Sequence, residues 1–439
     1  MLDIKYIRDN AEQIKEAAQN KGIDVDIDRL LQLDEEKRNL QGQLDELRSQ
    51  RKKTAQSGQG EKPSEEQIQK GKELKQKIQE LEEEYKNIEQ ERESLMVKVP
   101  VIPSKDTPIG KDDSENVEVK RHGEPTEFNF KPKDHIQLGR DLDLLDLDRG
   151  VKVAGYRGYY LKNEAVILQM GLMMHALSKL MAKGFIPIIP PTLVKSFPLF
   201  GSGFFSGREY DSNVDEIYKI ANDEVLSDGS VKKEDKFLIG TAEPSLLAYY
   251  ADEVLEEKDL PVKFCGFSPC YRSEIGSYGK DTKGIYRIHE FMKVEQVILA
   301  PADIEVAEKY HQEIMEVSTE LHQDLGLPYR WLQICTGDMG TQKYKMFDIE
   351  AWMPSRGGYG ETGSASNCTD WQARRLNVKY QNEQKEKKYV YMLNNTAIAS
   401  PRILISILEN YQKKDGSIEI PEILRKYFPG NQEVISPQK

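Results

Sequence analysis

Two heptad runs separated by a helix-breaking stretch constrain this chain more than any other feature. Apolar or long-stemmed residues fall at Leu33, Lys37, Leu40, Leu44, Leu47 and Arg51, then again at Leu74, Ile78, Leu81, Tyr85, Ile88, Leu95 and Val99. Both runs keep the alternating four-three spacing of a coiled-coil seam. Between them, TAQSGQGEKPSEEQ carries Gly and Pro, which break a helix, and Ser64 and Gln67, spaced as a capping box for the next one. The pattern predicts an antiparallel helical hairpin over about 27–99. At 1.5 Å per residue each helix extends about 45 Å. With one apolar seam apiece, the two helices pack on little besides each other, so the arm is expected to project into solvent. Its distal half carries Arg48, Arg51, Lys52, Lys53, Lys70, Lys72, Lys75 and Lys77, while its root is acidic around Glu80, Glu82, Glu83 and Glu84. Such polarity suits a tip that grips an RNA backbone better than the balanced ion pairs of an ordinary solvated coiled coil.

The remainder is long enough for a second domain. The chain has 439 residues, 38% hydrophobic and 31% charged, enough for a full-sized core under a large solvated surface. The expected division is an N-terminal domain at 1–100, a Pro/Gly/Asp-containing linker at 101–132, and a body at 133–439 that mixes helices with strands rich in Val, Ile, Tyr and Phe, an α+β pattern. A formal net charge of −12 argues against indiscriminate nucleic-acid binding and throws the weight onto local basic patches. No apolar run reads as long enough to span a membrane, and MLDIKYIRDN is too polar and acidic for a signal or transit peptide; the expected setting is cytoplasmic, with no membrane partner. Cys265, Cys270, Cys335 and Cys368 form no CxxC pair, so neither disulfides nor a zinc site has support, and they read as small buried residues.

The body's chemistry concentrates in CYRSEIGSYGKDTKGIYRIHEFMKVEQ, from Cys270 to Gln296. It reads as two strands joined by a Gly/Ser/Lys-rich loop, Ile275 to Gly284. Alternation places Arg272 and Glu274 on one face, and Arg287, His289, Phe291, Lys293 and Glu295 together on the other strand. Guanidinium groups fork onto phosphate oxygens and Phe stacks on a base, so the cradle suits a nucleotide plus an amino acid. Surface ion pairs on a solvated hairpin would be nearly neutral in energy and would not need so strict an alternation. GFIPIIPPTLV, after an amphipathic helix, reads as an edge strand, where a partner subunit could add. In YVYMLNNTAIASPRILISILENYQ a strand runs into a helix with Pro401 in its first turn, which sets Arg402 at a helix start favourable to phosphate. Glu361, in YGETGSASNCTDWQARR, is an oxygen ligand for magnesium if it shares that pocket.

Taken in order, these segments resemble a class II aminoacyl-tRNA synthetase, specifically of the seryl-tRNA synthetase family, over nearly the whole chain. The first class II motif corresponds to the helix and GFIPIIPP, the second to CYRSE through RIHEFMKVEQ, and the third to NNTAIASPRILISILENYQ. The helical hairpin, LIGTAEP, CTGDMG and SNCTDWQARR mark the seryl branch. The resemblance implies a coiled-coil arm followed by a catalytic domain on an antiparallel sheet flanked by helices. It implies ATP-dependent ligation of L-serine to tRNA(Ser), with tRNA(Sec) as a further acceptor, in a homodimer whose arm presents tRNA to the partner's active site. Arg272, Glu274 and Arg402 would be catalytic. Arg272, Ser273, Glu274, Arg287, Phe291, Glu361, Thr362, Gly363, Ser364 and Arg402 would bind ATP, with Phe291 and Arg402 about the adenine and Glu361 on magnesium. Thr241, Ala242, Glu243, Arg272, Glu295, Asn394 and Thr396 would bind serine, and no zinc is expected. Asn395-Thr396 stands where Gly-Ser is frequent in the family, Ala365 where Cys is, and Glu290 where Gln is. A carrier-protein ligase would not need the basic arm, and a non-catalytic paralogue would have eroded Arg272, Arg287 and Arg402.

Overall fold

The computed structural model describes residues 1–56, 64–221, 224–225, 227–232, 234–275 and 283–437. The helix-breaking stretch at 57–63, and residues 276–282 of the loop expected between Ile275 and Gly284, lie outside the described residues. The chain forms two compact units, Met1–Pro100 and Val101–Lys439.

In the first unit α1 (Ile4–Asp9) and α2 (Ala11–Asn20) precede the long helices α3 (Ile27–Gln56) and α4 (Glu65–Met96). Ser64 and Gln67 form the capping box: the Gln67 amide donates to Ser64 Oγ at 3.2 Å and the Ser64 amide to Gln67 Oε1 at 2.9 Å. This satisfies donors that the first turn leaves open. Leu33, Leu40, Leu44, Leu74 and Ile78 are buried. Ion pairs cross the seam at Arg29–Glu91, Lys37–Glu89 and Arg48–Glu82, each 2.8 Å. The partner number falls along α4 as the residue number rises along α3, so the helices are antiparallel. Toward the root of α3, Asp34 is buried and gathers Arg8 at 2.7 Å, Arg92 at 3.1 Å and Arg38 at 3.4 Å, which offsets the cost of taking a carboxylate out of water.

The second unit is built on eight strands: β1 (Val117–His122), β2 (Ile186–Ile188), β3 (Val262–Tyr271), β4 (Glu290–Ala300), β5 (Tyr329–Gln333), β6 (Lys345–Met353), β7 (Gly358–Asn367) and β8 (Tyr391–Ala399). Their order is β1-β5-β6-β7-β8-β4-β3-β2, antiparallel throughout except where β2 lies parallel to β3. The segment read as a linker thus supplies edge strand β1, and GFIPIIPP supplies the other edge. Of the body's helices, α5 (His135–Asp141) precedes α6 (Glu164–Ala182), then come α7 (Glu243–Leu247), α8 (Ile304–Asp324) and α9 (Ser400–Asn410). Leu168, Leu172 and Leu180 of α6, Ile314 and Leu321 of α8, and Ile403 and Ile407 of α9 share one core with Val294, Ile298 and Ile398 of the sheet. These three helices cover one face; on the other, alternation along β4 sets Lys293 and Glu295 beside a second apolar cluster that holds Val297, Leu299, Phe264 and Met392 of the sheet with Leu246 and Leu247 of α7.

Two expectations need correction. Helix α6 is, by length and composition, apolar enough to cross a membrane; its apolar residues run past the buried stripe, with Met170, Met174 and Met181 exposed. The strands of the central hairpin are also shorter than alternation suggests. Strand β3 ends at Tyr271 and β4 starts at Glu290, so Arg272, Glu274, Arg287 and His289 lie beyond the regular ladder. Glu274 has φ +55°, a left-handed conformation that ends the period of two.

Candidate active site

At the end of the β3–β4 hairpin the Arg272 amide still bonds the His289 carbonyl at 3.0 Å, one rung past the strands. The left-handed turn at Glu274 then brings its carboxylate to Arg287 Nη1 at 3.1 Å and within 3.7 Å of Arg157 Nη1. Arg272, Glu274, Arg287 and Phe291 line one cavity. Strand β7 adds Glu361, Thr362 and Gly363, and β8 with α9 adds Thr396 and Arg402. The Arg272 guanidinium lies 5.5 Å from the Phe291 ring centroid, within cation–π range.

Arg402 sits in the first turn of α9 behind Pro401, and its Nη1 donates to the Glu361 carbonyl and to Glu361 Oε2, both at 2.9 Å. Loss of hydration alone would raise the Glu361 carboxyl, but the charge and hydrogen bond of Arg402, with the charges of Arg272 and Arg287, together outweigh it and hold the group below the usual carboxylate range. Burial likewise opposes the Arg402 charge, and Glu361 more than restores it. Opposite charges at this distance favour both ionised forms.

A polar cluster continues from the cavity. Phe291, Lys293 and Glu295 alternate along β4, and Lys293 ion-pairs with Glu295 inside the protein. Thr396 Oγ1 accepts from Lys293 Nζ and donates to Glu295 Oε2, both at 3.2 Å. Two residues back on β8, Asn394 Nδ2 donates to Glu243 Oε1 at 3.0 Å, which also accepts from Gln372 Nε2 at 2.8 Å. Burial pushes the Glu243 carboxyl up. Thr241 and Ala242 are buried beside it at the entry to α7, and Gly240 just before them accepts from Arg272 Nε at 3.2 Å. Carboxylates, hydroxyls and an ammonium converging on a small interior site suit a small zwitterion bearing a hydroxyl.

Most residues expected at the site do converge. Ser364 does not line the cavity; its hydroxyl bonds the Asp348 carboxylate. Ser273 is adjacent, but its hydroxyl is buried with no hydrogen-bond partner among the described residues. Thr362 bulges out of register between β6 and β7, which turns its hydroxyl to the Ile349 carbonyl at 3.1 Å and His322 Nε2 at 2.8 Å. His289 is held away from the cavity by the Arg272 carbonyl at 2.8 Å and the Tyr218 hydroxyl at 3.0 Å. The unusual Asn395 faces α8, donating to the Ile314 carbonyl at 2.6 Å and Ser318 Oγ at 2.8 Å, and Ala365 is buried in the core. Alternation along the sequence placed Lys293 in the cradle between Phe291 and Glu295 but gave it no binding role of its own. It had no signal for Gln372, Arg157 or Tyr286, which reach the site from turns and distant segments. On the arm, Arg51, Lys52, Lys53, Lys70, Lys72, Lys75 and Lys77 are exposed, whereas Arg48 is engaged by Glu82 and, at 3.8 Å, by Asp45.

Residues 223–411 match the family model described as tRNA synthetase class II core domain (G, H, P, S and T), so sheet and cavity together define a class II aminoacyl-tRNA synthetase. Residues 1–103 match the seryl-tRNA synthetase N-terminal domain. A serine–tRNA ligase from Treponema denticola is 40% identical over 97% of this chain and 98% of its own, and one from Dictyoglomus thermophilum is 44% identical over 98% of each. The crystal structure of seryl-tRNA synthetase from Pyrococcus horikoshii complexed with ATP superposes with a TM-score of 0.86 at 38% identity, covering 100% of both chains. The chain belongs to the seryl-tRNA synthetase family.

Proposed function

We propose that this chain activates L-serine with ATP and transfers it to the 3′ end of tRNA(Ser). The observation that carries the reading is the junction at Thr396, which lines the arginine-rich cavity and donates to Glu295 in the polar cluster next to it. A nucleotide and a hydroxyl amino acid would meet there.

In the first step a serine carboxylate oxygen attacks the α-phosphorus and pyrophosphate leaves. No protein nucleophile is needed, only in-line placement and neutralised charge. Arg272 holds the α-phosphate, Arg287 and Arg402 face the outer phosphates, Phe291 and Arg402 flank the adenine, and Glu274, Ser273, Thr362 and Gly363 complete the nucleotide site, with Ser364 behind them on Asp348. Glu295 and Glu243 receive the serine ammonium group, and Thr396, Thr241, Ala242 and Asn394 shape the pocket. In the second step the tRNA 3′ hydroxyl attacks the carbonyl of the mixed anhydride and AMP leaves. Glu295 and Thr396 also meet the serine hydroxyl; alanine lacks that group and would forfeit the contact in the interior, and threonine is excluded by size.

Magnesium fits the Glu361 carboxylate, an oxygen donor that Arg402 keeps ionised. Among the described residues no three His, Cys, Asp or Glu side chains are placed to hold a metal, so the phosphates would supply the other ligands. Bound there, the ion would neutralise phosphate charge.

The exposed basic residues of the arm support a grip on the tRNA backbone by shape and charge, with tRNA(Sec) a further acceptor. Val166, Met170, Met174 and Met181 on α6 and Ile186 and Ile189 at the edge strand are exposed, an apolar patch that supports a homodimer. Kinship with translation enzymes supports a cytoplasmic setting. Amino-acid-dependent ATP–pyrophosphate exchange without tRNA tests the core of the reading. Exchange with serine alone is expected; exchange with a different amino acid, or none, would overturn it.

A further inference from the structure

Tyr286 has been given no role so far, yet it lines the same cavity. Two guanidinium groups lie over its ring, Arg356 at 4.2 Å and Arg402 at 4.4 Å from the centroid. Its carbonyl accepts from Arg402 Nε at 3.3 Å. The ring rests against a cluster containing Ile285, Ile288, Met353 and Ile405, and it passes so close to Gly360 that a Cβ there would meet Tyr286 Cε2 at 3.0 Å and Met353 Sδ at 2.9 Å. Backbone and ring together make a seat for one arginine, and the bare glycine leaves room for it.

We propose that Tyr286 is a positioning residue for nucleotide recognition: its ring, anchored by Arg356, holds the Arg402 guanidinium in the plane that a purine base stacks against. The inference rests on the reading of Arg402 as a nucleotide contact. An arginine side chain has several free torsions, and its planar group serves as a stacking platform only if its tilt is fixed. The hydrogen bonds to the carbonyls of Glu361 and Tyr286 locate Nη1 and Nε. A ring face, attractive to a cation through its quadrupole, fixes the tilt. The Glu361 carboxylate, the other partner of Arg402, is also the group that fits magnesium, so the ring and the two carbonyls are the anchors that remain when ATP is bound.

Calorimetric titration of the whole chain with magnesium and ATP, serine absent, tests this directly. Tyr286→Leu, which keeps bulk and loses the π face, is expected to raise the ATP Kd about tenfold. Tyr286→Phe should restore binding to within about twofold of the parent, because the face and not the hydroxyl is at issue. Arg356→Ala, at an exposed position that folding tolerates, should weaken binding by about two- to threefold. Tyr286→Leu binding ATP like the parent, or Tyr286→Phe as weak as Tyr286→Leu, would overturn the proposal. If Tyr286→Leu does not fold, Arg356→Ala decides: an unchanged ATP Kd would remove the anchored ring. A parent that binds ATP but exchanges pyrophosphate with no serine removes the serine reading and leaves this one standing.

Discussion

The arm and the body bury their side chains by different means. The arm has one seam of leucines and isoleucines, and its cross-helix ion pairs are well exposed, with Arg29 and Glu91 side chains 34% and 47% accessible. The body sets charged and polar groups inside a many-layered core: Lys293, Glu295, Glu243 and Asn394 are each buried and each held by at least one partner. A seam repeats, so any one contact can be altered while its neighbours hold the helices together. A buried polar network does not repeat, and removing one member strands another. The arm should therefore tolerate change and answer to salt, while the body should answer to single atoms and to pH.

The widest gap should open at Arg272. Arg272→Ala is expected to lower kcat/KM for pyrophosphate exchange by about 10³-fold or more, as loss of a preorganised charge at a phosphate does. Arm melting followed by circular dichroism should stay unchanged. Next, removing Leu40 to Leu81 and rejoining the shortened helices should leave exchange intact and reduce tRNA charging by about 10²-fold through lost backbone contacts. Equal failure of exchange in both variants would erase the division of labour.

Acid should separate the units further. All six histidines lie in the second unit, Val101–Lys439. His322 is buried, and burial drags its imidazole down to about 4. Unfolded, it titrates near 6.5, so between those values the unfolded chain binds more protons and stability falls as pH drops through 6.5 toward 4. His322→Asn should remove about 2 kcal/mol of the loss between pH 7 and 5. All three tryptophans, Trp331, Trp352 and Trp371, also lie in the body, so denaturation followed by their fluorescence reports on that unit alone. The same pH dependence in parent and variant would show that His322 is not the sensor. The smallest effect is expected at the arm's surface: Glu91→Ala should barely move arm melting at low salt and not at all at high salt, because exposed pairs are screened.

The hairpin was legible because its information is local. Heptad spacing, the Ser64–Gln67 box and the charge run are readable within a few turns, and the structure returns them in the same places. Pro401 at a helix start and Glu295 alternating with Phe291 were legible for the same reason. The misreadings fall where the local period stops. Alternation carried Arg287 and His289 onto a strand that begins only at Glu290, because the left-handed turn at Glu274 and the turns before β4 obey no period. The surroundings of Ser364 and Thr362, both expected at the nucleotide, were not legible either: strand register sets Ser364 against Asp348 on β6 and a bulge turns the Thr362 hydroxyl toward Ile349, which no local period encodes.

By itself the sequence determined the arm, the α+β body, the family and most of the charged groups that a serine-activating site needs, because side-chain period and residue chemistry are properties of a segment. Only the tertiary structure decided that Gln372 and Asn394 share the Glu243 carboxylate, that Thr396 bridges Lys293 and Glu295, and that Arg402 rests on Tyr286. Those contacts join residues up to 151 positions apart, and whether two such groups touch depends on register, bulges and helix packing summed over the whole body, which no single segment encodes.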